Sequence, residues 1–264
     1  MSDILDMGGR VSLVTGAGQG VGAQIAKHLA SASNSGGVAV NDYFIERAEA
    51  VANEINSAGH KAIAVQADVS DRASVEAMIA KTEAALGTVG VLVNNAGNAG
   101  AEPIPEQRKP FWETDKEIWD RTIGVNIYGV INCVGAVLPG MMKRQAPGRI
   151  ISIISDASRY GDLGMEVYSG AKAGAAGFMR SVARTMGRHQ ITANNIVISL
   201  TNTPATQAWL EDPERMKGTM SKYIVRRPGE PTDIANMALY LASDASEWIS
   251  GQTYPVNGGF TLAL

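Results

Sequence analysis

The sequence predicts an α/β protein: a doubly wound parallel sheet of about seven strands, with helices on both faces, in a single domain. Three observations carry this. Short β-rich runs alternate with longer helical patterns from end to end. A glycine-rich turn follows the first run and opens the first helical pattern. No proline-rich, serine-rich or charge-run linker divides the 264 residues, and no repeat with a period of about 20–50 residues is visible.

In order, Val11 to Thr15, Gly37 to Asn41, Lys61 to Gln66, Gly90 to Val93, Arg149 to Ile154, Ile191 to Ile198 and Thr253 to Val256 read as strands. Helical patterns cover 21–33, 44–58, 71–86, 113–142, 166–188 and 231–242, with a shorter piece near 205–220. The whole span 1–264 is read as one domain. Parallel sheets of this kind bind ligands at the carboxyl ends of their strands, near a switch in strand order. Polar residues just past strand ends are therefore the site candidates.

The first strand end carries Thr15-Gly16-Ala17-Gly18-Gln19-Gly20-Val21-Gly22. Glycines there permit a tight turn and let backbone amides approach a pyrophosphate at a helix N-terminus. A purely structural glycine loop is the alternative. The second strand end carries Asp42, whose carboxylate can accept from both adenine-ribose hydroxyls and repels a 2′-phosphate. Neither Gln19 in the turn nor Tyr43 after the acid offers a cation for such a phosphate, which favours NAD over NADP. Asp42 as a helix cap is the competing reading. Asp68-Val69 after the third strand and Asn94-Asn95-Ala96-Gly97 after the fourth complete the ring.

The chemistry is carried by Tyr168 and Lys172, four residues apart, with Ser155 thirteen residues before the tyrosine. A four-residue step puts two side chains on one helical face. The Lys172 ammonium beside the Tyr168 phenol is expected to favour phenolate and bring it from its ordinary pKa of about 10 toward neutrality. Ser155, at a strand end, would hydrogen-bond the oxygen being oxidised or reduced.

The 166–188 helix holds Gly170, Gly174, Gly177 and Gly187. Each interior glycine costs up to about 1 kcal/mol relative to alanine, so close helix approach should offset it. The expectation is a homo-oligomer with this helix and the 113–142 helix at one interface; tight packing on its own sheet is the alternative.

Composition narrows the partners. A hydrophobic fraction of 45%, a charged fraction of 19% and a net charge of −3 without a basic stripe argue against nucleic acid and anionic membranes. The N-terminus lacks a signal-peptide layout, and no uninterrupted apolar stretch approaches a membrane span. The single cysteine, Cys133, permits no intrachain disulfide, and His28, His60 and His189 are scattered, so no metal site is expected. A cytoplasmic protein is the expectation.

With these motifs in order, the sequence resembles the short-chain dehydrogenase/reductase family from about Arg10 to Gly259. The resemblance rests on the Thr15–Gly22 turn, Asp68, Asn94–Gly97, Asn126, Ser155, Tyr168, Lys172 and the Arg227–Ala235 and Asn257–Gly259 tail motifs. It implies a Rossmann-like fold and a typical tetramer. It also implies that Asp68 contacts adenine and the Asn95 region the adenosine ribose. Lys172 would bind the nicotinamide ribose, and Asn126 would hold a water linking Lys172 to solvent, unless Asn126 is merely satisfied within its helix. Thr203 keeps the usual threonine position of the nicotinamide loop.

Three departures stand out. Ile198-Ser199 replaces the usual Pro-Gly after the sixth strand. Asn98 to Pro110 is longer than usual and either shapes access to substrate or is surface decoration. The segment from Ser155-Asp156 through Arg159 to Glu166 looks like that of relatives oxidising alicyclic hydroxyacyl-CoA thioesters.

The expected function is reversible, NAD-dependent hydride transfer between a small-molecule secondary alcohol and its ketone, with Tyr168 as acid/base and Ser155, Lys172 and Asn126 assisting. A lid over about 203–226 would close on substrate, with Trp209, Met216 and Met220 lining it or simply packing. An NADPH-dependent ketoreductase and a catalytically silent nucleotide-binding scaffold are the alternatives. A serine hydrolase is disfavoured because no Gly-x-Ser-x-Gly elbow occurs.

Overall fold

Seven parallel strands pair in the order β3-β2-β1-β4-β5-β6-β7 in the computed structural model, which describes residues 4–97 and 110–262. They are β1 (Val11–Val14), β2 (Val38–Asp42), β3 (Ala62–Gln66), β4 (Val89–Asn94), β5 (Gly148–Ser155), β6 (Ile191–Ile198) and β7 (Thr253–Val256). Central strands are covered on both faces and so read as nearly continuous apolar runs. Along β4 the pleat sends Val91 and Val93 into one core and Leu92 into the other.

Helices α1 (Gly20–Ser31), α2 (Ile45–Ser57) and α10 (Pro231–Ala242) close the first core. On the other face lie α3 (Arg72–Leu86), α5 (Gly129–Arg144) and α7 (Glu166–Met186). The order reverses between β1 and β4, and a crevice opens above their carboxyl ends, where parallel sheets of this kind bind ligands.

Strand ends fall within one residue of expectation; the helical ones differ more. The expected 113–142 helix is instead a 3-10 turn at Phe111–Glu113, α4 (Lys116–Ile123), a π-helical segment Gly124–Tyr128, and α5. The 205–220 piece splits into α8 (Gln207–Leu210) and α9 (Pro213–Met220). Asp212 accepts from the Glu214 and Arg215 amides at 3.1 Å, and Pro213 cannot continue a preceding helix. A short α6 (Ala157–Tyr160) was not anticipated. The stretch Asn98 to Lys109, with Pro103 and Pro105, lies outside the described residues.

Contrary to expectation, the run Lys116–Arg144 is long and apolar enough, by length and composition, to cross a membrane. Its Val130, Cys133, Val134, Val137 and Met141 are buried in the sheet core. The glycines of α7 divide. A Cβ on Gly174 would lie 2.7 Å from Ile127 Cδ1, so this glycine serves packing within the chain, whereas Gly170 faces open space.

Candidate active site

The crevice is assembled by hydrogen bonds between the β1 and β4 loops. Gly16 leaves β1 with φ +60°, and a Cβ there would sit 2.8 Å from Ala96 Cα. The Thr15 hydroxyl accepts from the Asn95 and Ala96 amides at 3.1 Å. In return, Asn95 Nδ2 donates to the carbonyls of Thr15 (3.0 Å) and Gly16 (2.9 Å). The Asn95 amide donors are thus spent on the glycine turn.

One groove of about 300 Å³ is lined by Gly16, Gln19, Gly20, Val21, Gly22, Asp42, Asp68, Val69, Asn95, Ala96, Gly97, Tyr168, Lys172 and Thr203, together with residues not foreseen. Helix α1 has Gln19 as its N-cap and no side-chain cap. Its first amides and positive dipole end therefore face the groove free of a capping side chain, a ready seat for pyrophosphate. Together with the acid at the end of β2, these residues fit a dinucleotide.

At the β2 end of the groove the Asp42 oxygens accept from the Gly18 amide (3.0 Å) and the Phe44 amide (3.1 Å). Phe44, not Asp42, is the N-cap of α2, which removes the capping alternative. Arg47 was missed: the first turn of α2 brings it to the groove wall, its guanidinium 4.4 Å from the Phe44 ring centre. The inference of NAD from missing cations therefore loses force. Arg47 is five residues beyond Asp42, and only the helix brings the two together.

The Asp68 carboxylate accepts from the Ser70 amide (2.8 Å) and hydroxyl (2.7 Å). From α5, Asn132 Nδ2 donates to the Val69 carbonyl at 3.0 Å and steadies that loop.

At the other end of the groove, Ser155 closes β5 and its hydroxyl accepts from the Ala157 amide at 3.2 Å. The Ser155 side chain lies close enough to the Tyr168 hydroxyl to lower its pKa. Lys172 Nζ, almost fully buried, donates to the Ile153 carbonyl at 3.0 Å and lies 5.9 Å from the Tyr168 ring centre. Asn126 is buried in the π-helical segment, its Nδ2 donating to the Thr122 carbonyl at 2.8 Å. A Cβ on Gly97 would meet Lys172 Nζ at 2.7 Å and Asn126 Oδ1 at 3.0 Å, so both polar ends converge on that glycine. Inserted π turns often occur at functional sites; this one interrupts the regular helix at Asn126.

The electrostatics correct the sequence reading. Burial pushes the Tyr168 hydroxyl up rather than down; the Ser155 hydrogen bond opposes this and the Asp162 charge adds to it. Burial lowers Lys172 to about 8. An ammonium that is itself desolvated and turned to the Ile153 carbonyl does not dominate the tyrosine.

Thr203 lines the groove and its amide donates to the Thr206 hydroxyl at 3.1 Å. Trp209, Met216 and Met220 do not line this groove. Trp209 instead meets Arg215 of α9 at 5.3 Å.

Fold and groove together define a nucleotide-binding oxidoreductase. A family model described as enoyl-(acyl carrier protein) reductase matches residues 16–261. The chain is similar to (2S)-[(R)-hydroxy(phenyl)methyl]succinyl-CoA dehydrogenase subunit BbsD of Thauera aromatica, with 38% identity over 96% of this chain and 97% of that one. Among solved structures it is similar to a 7α-hydroxysteroid dehydrogenase complexed with NADH and 7-oxo glycochenodeoxycholic acid (33% identity, TM-score 0.90, 98% and 97% covered). A gluconate 5-dehydrogenase from Burkholderia cenocepacia J2315 in complex with NADP and tartrate is also similar (30% identity, TM-score 0.89, 99% of both chains). The chain belongs to the short-chain dehydrogenase/reductase family.

Proposed function

We propose that this protein interconverts a secondary alcohol and its ketone with NAD(H), using Tyr168 as the acid/base. The observation that carries the reading is Tyr168 with Lys172 Nζ 5.9 Å from its ring centre and Ser155 near enough to lower its pKa, at one end of a groove with an uncapped helix N-terminus. Bound NAD would supply the hydride acceptor. Two hydroxyls this near each other can both reach one substrate oxygen. Tyr168 takes the alcohol proton, and Ser155 orients the oxygen and stabilises its developing charge. Lys172 and Asn126, meeting at Gly97, offer the proton a route away from the tyrosine.

Asp42 at the end of β2 supports NAD, and the test is direct comparison of NADH and NADPH binding to the wild type and to Asp42→Ala. NADH should bind more tightly to the wild type, and Asp42→Ala should narrow the gap. A strong wild-type preference for NADPH would overturn the role given to Asp42. Arg47 favours that second reading, an NADPH-dependent ketoreductase, since a guanidinium is suited to a phosphate.

The substrate class proposed is a hydroxyacyl-CoA thioester. The Ser155–Glu166 segment suggested it, and the relative from Thauera aromatica bears the name of a CoA-thioester dehydrogenase. An NAD-reduction screen with cyclic alcohols and CoA-linked hydroxyacids tests it. Nucleotide binding without turnover on any alcohol or ketone would favour a silent scaffold instead. A lid over about 203–226, a homotetramer and a cytoplasmic setting complete the proposal.

A further inference from the structure

The wall beside the nicotinamide end of the groove is the segment 198–203, and it has a void behind it. Ile198 and Thr203 face the nucleotide groove. Ser199, Leu200 and Thr201 face a second cavity of about 280 Å³ on the other side, together with Tyr223. Backbone hydrogen bonds tie this wall to Gly229, whose amide donates to the Leu200 carbonyl at 2.9 Å and whose carbonyl accepts from the Asn202 amide at 2.7 Å.

The Tyr223 hydroxyl adds side-chain anchors to these. It hydrogen-bonds the Ser199 hydroxyl and accepts from the Leu200 amide at 3.1 Å. The Thr201 hydroxyl donates to the Ser199 carbonyl at 3.0 Å, continuing the chain of contacts toward Thr203. Tyr223 can act as an anchor because it is itself fixed: it is buried, and its ring packs 5.1 Å from that of Phe260. Proline in a loop pre-sets the backbone by its ring. This chain has Ile198-Ser199 there, so side-chain hydroxyls must do what a ring would.

We infer that Tyr223, acting through Ser199 and Leu200, is a positioning residue for the nicotinamide half of the cofactor. It touches neither cofactor nor substrate. The inference rests on the dinucleotide reading above.

The experiment compares NADH with ADP-ribose, which keeps the adenosine and pyrophosphate portions but lacks nicotinamide, by calorimetric titration of wild type, Tyr223→Phe, Ser199→Ala and the double variant. Tyr223→Phe should weaken NADH about five- to tenfold, the scale of a buried hydrogen bond left unmade, and leave ADP-ribose within about twofold. Ser199→Ala should show the same signature, and the double variant should be no worse than Tyr223→Phe alone, because the two share one interaction. Equal weakening of both ligands, no change in either, or full additivity of the two substitutions would each overturn the inference. Wild type failing to bind either ligand would instead overturn the cofactor reading and the inference with it.

Discussion

Lys172 Nζ stands 5.9 Å from the centre of the Tyr168 ring, yet its hydrogen bond goes to the Ile153 carbonyl at 3.0 Å. The lysine is thus held on the strand that ends in Ser155, one side chain away from the tyrosine it was expected to activate. Its pKa is lowered to about 8 by burial. A base with a depressed folded pKa is protonated in both states below about 8, where the burial cost is fully present. Between about 8 and 10.5 the unfolded chain binds more protons, so stability rises with pH there. Wild type should gain stability relative to Lys172→Met between pH 8 and 10 in denaturant titrations. Parallel curves would show that the amine is not buried in charged form.

Tyr168→Phe should lower turnover by about two orders of magnitude or more, the scale of lost acid–base catalysis, while NADH binding holds. The Ser155 hydrogen bond lowers the tyrosine pKa against the effect of burial. Ser155→Ala should therefore move the acidic limb of the kcat/KM profile for alcohol oxidation, where Tyr168 must lose its proton, to higher pH. A limb that stays in place or moves lower would refute the pairing.

Asp156 is buried beside Ser155, and its carboxylate accepts from Asn257 Nδ2 at 2.8 Å and from the Thr261 hydroxyl. Burial raises its pKa, with the two hydrogen bonds opposing. The folded state then binds more protons than the unfolded one above the ordinary carboxylate range, so this group erodes stability as pH rises through that window. Asp156→Asn should flatten that slope. Asp156→Ala should cost about 1–3 kcal/mol through lost buried hydrogen bonds and speed amide exchange in residues 257–262, read by mass spectrometry.

Gly170→Ala should stabilise the chain by up to about 1 kcal/mol, the helix-propensity difference, because nothing lies within 4 Å of the added methyl. Gly174→Ala should gain less or lose stability, since Ile127 Cδ1 stands 2.7 Å from the new atom. Denaturant midpoints and sedimentation at several concentrations check this. A Gly170→Ala variant that sediments as a smaller species than wild type would place that face in a subunit contact.

The strands and the groove were legible because their signals are local. Buried parallel strands must be apolar runs, and a dinucleotide turn must be small residues between a strand and a helix. For the same reason Ser155, Tyr168 and Lys172 could be read from spacing along one strand end and one helix. The π-helical segment at Asn126 was not legible, because one extra residue in a helical turn leaves the apolar pattern almost unchanged.

The sequence by itself determined the sheet, the position of the crevice and which polar residues stand around it, since periodicity and glycine placement are properties of neighbours in the chain. Tertiary structure alone decided that Arg47 joins Asp42, that Tyr223 holds Ser199 and that Asp156 grips Thr261. It also decided the direction in which the Tyr168 and Lys172 pKa values move. These depend on which distant segments exclude water from a group, and burial is fixed only when the whole chain has packed.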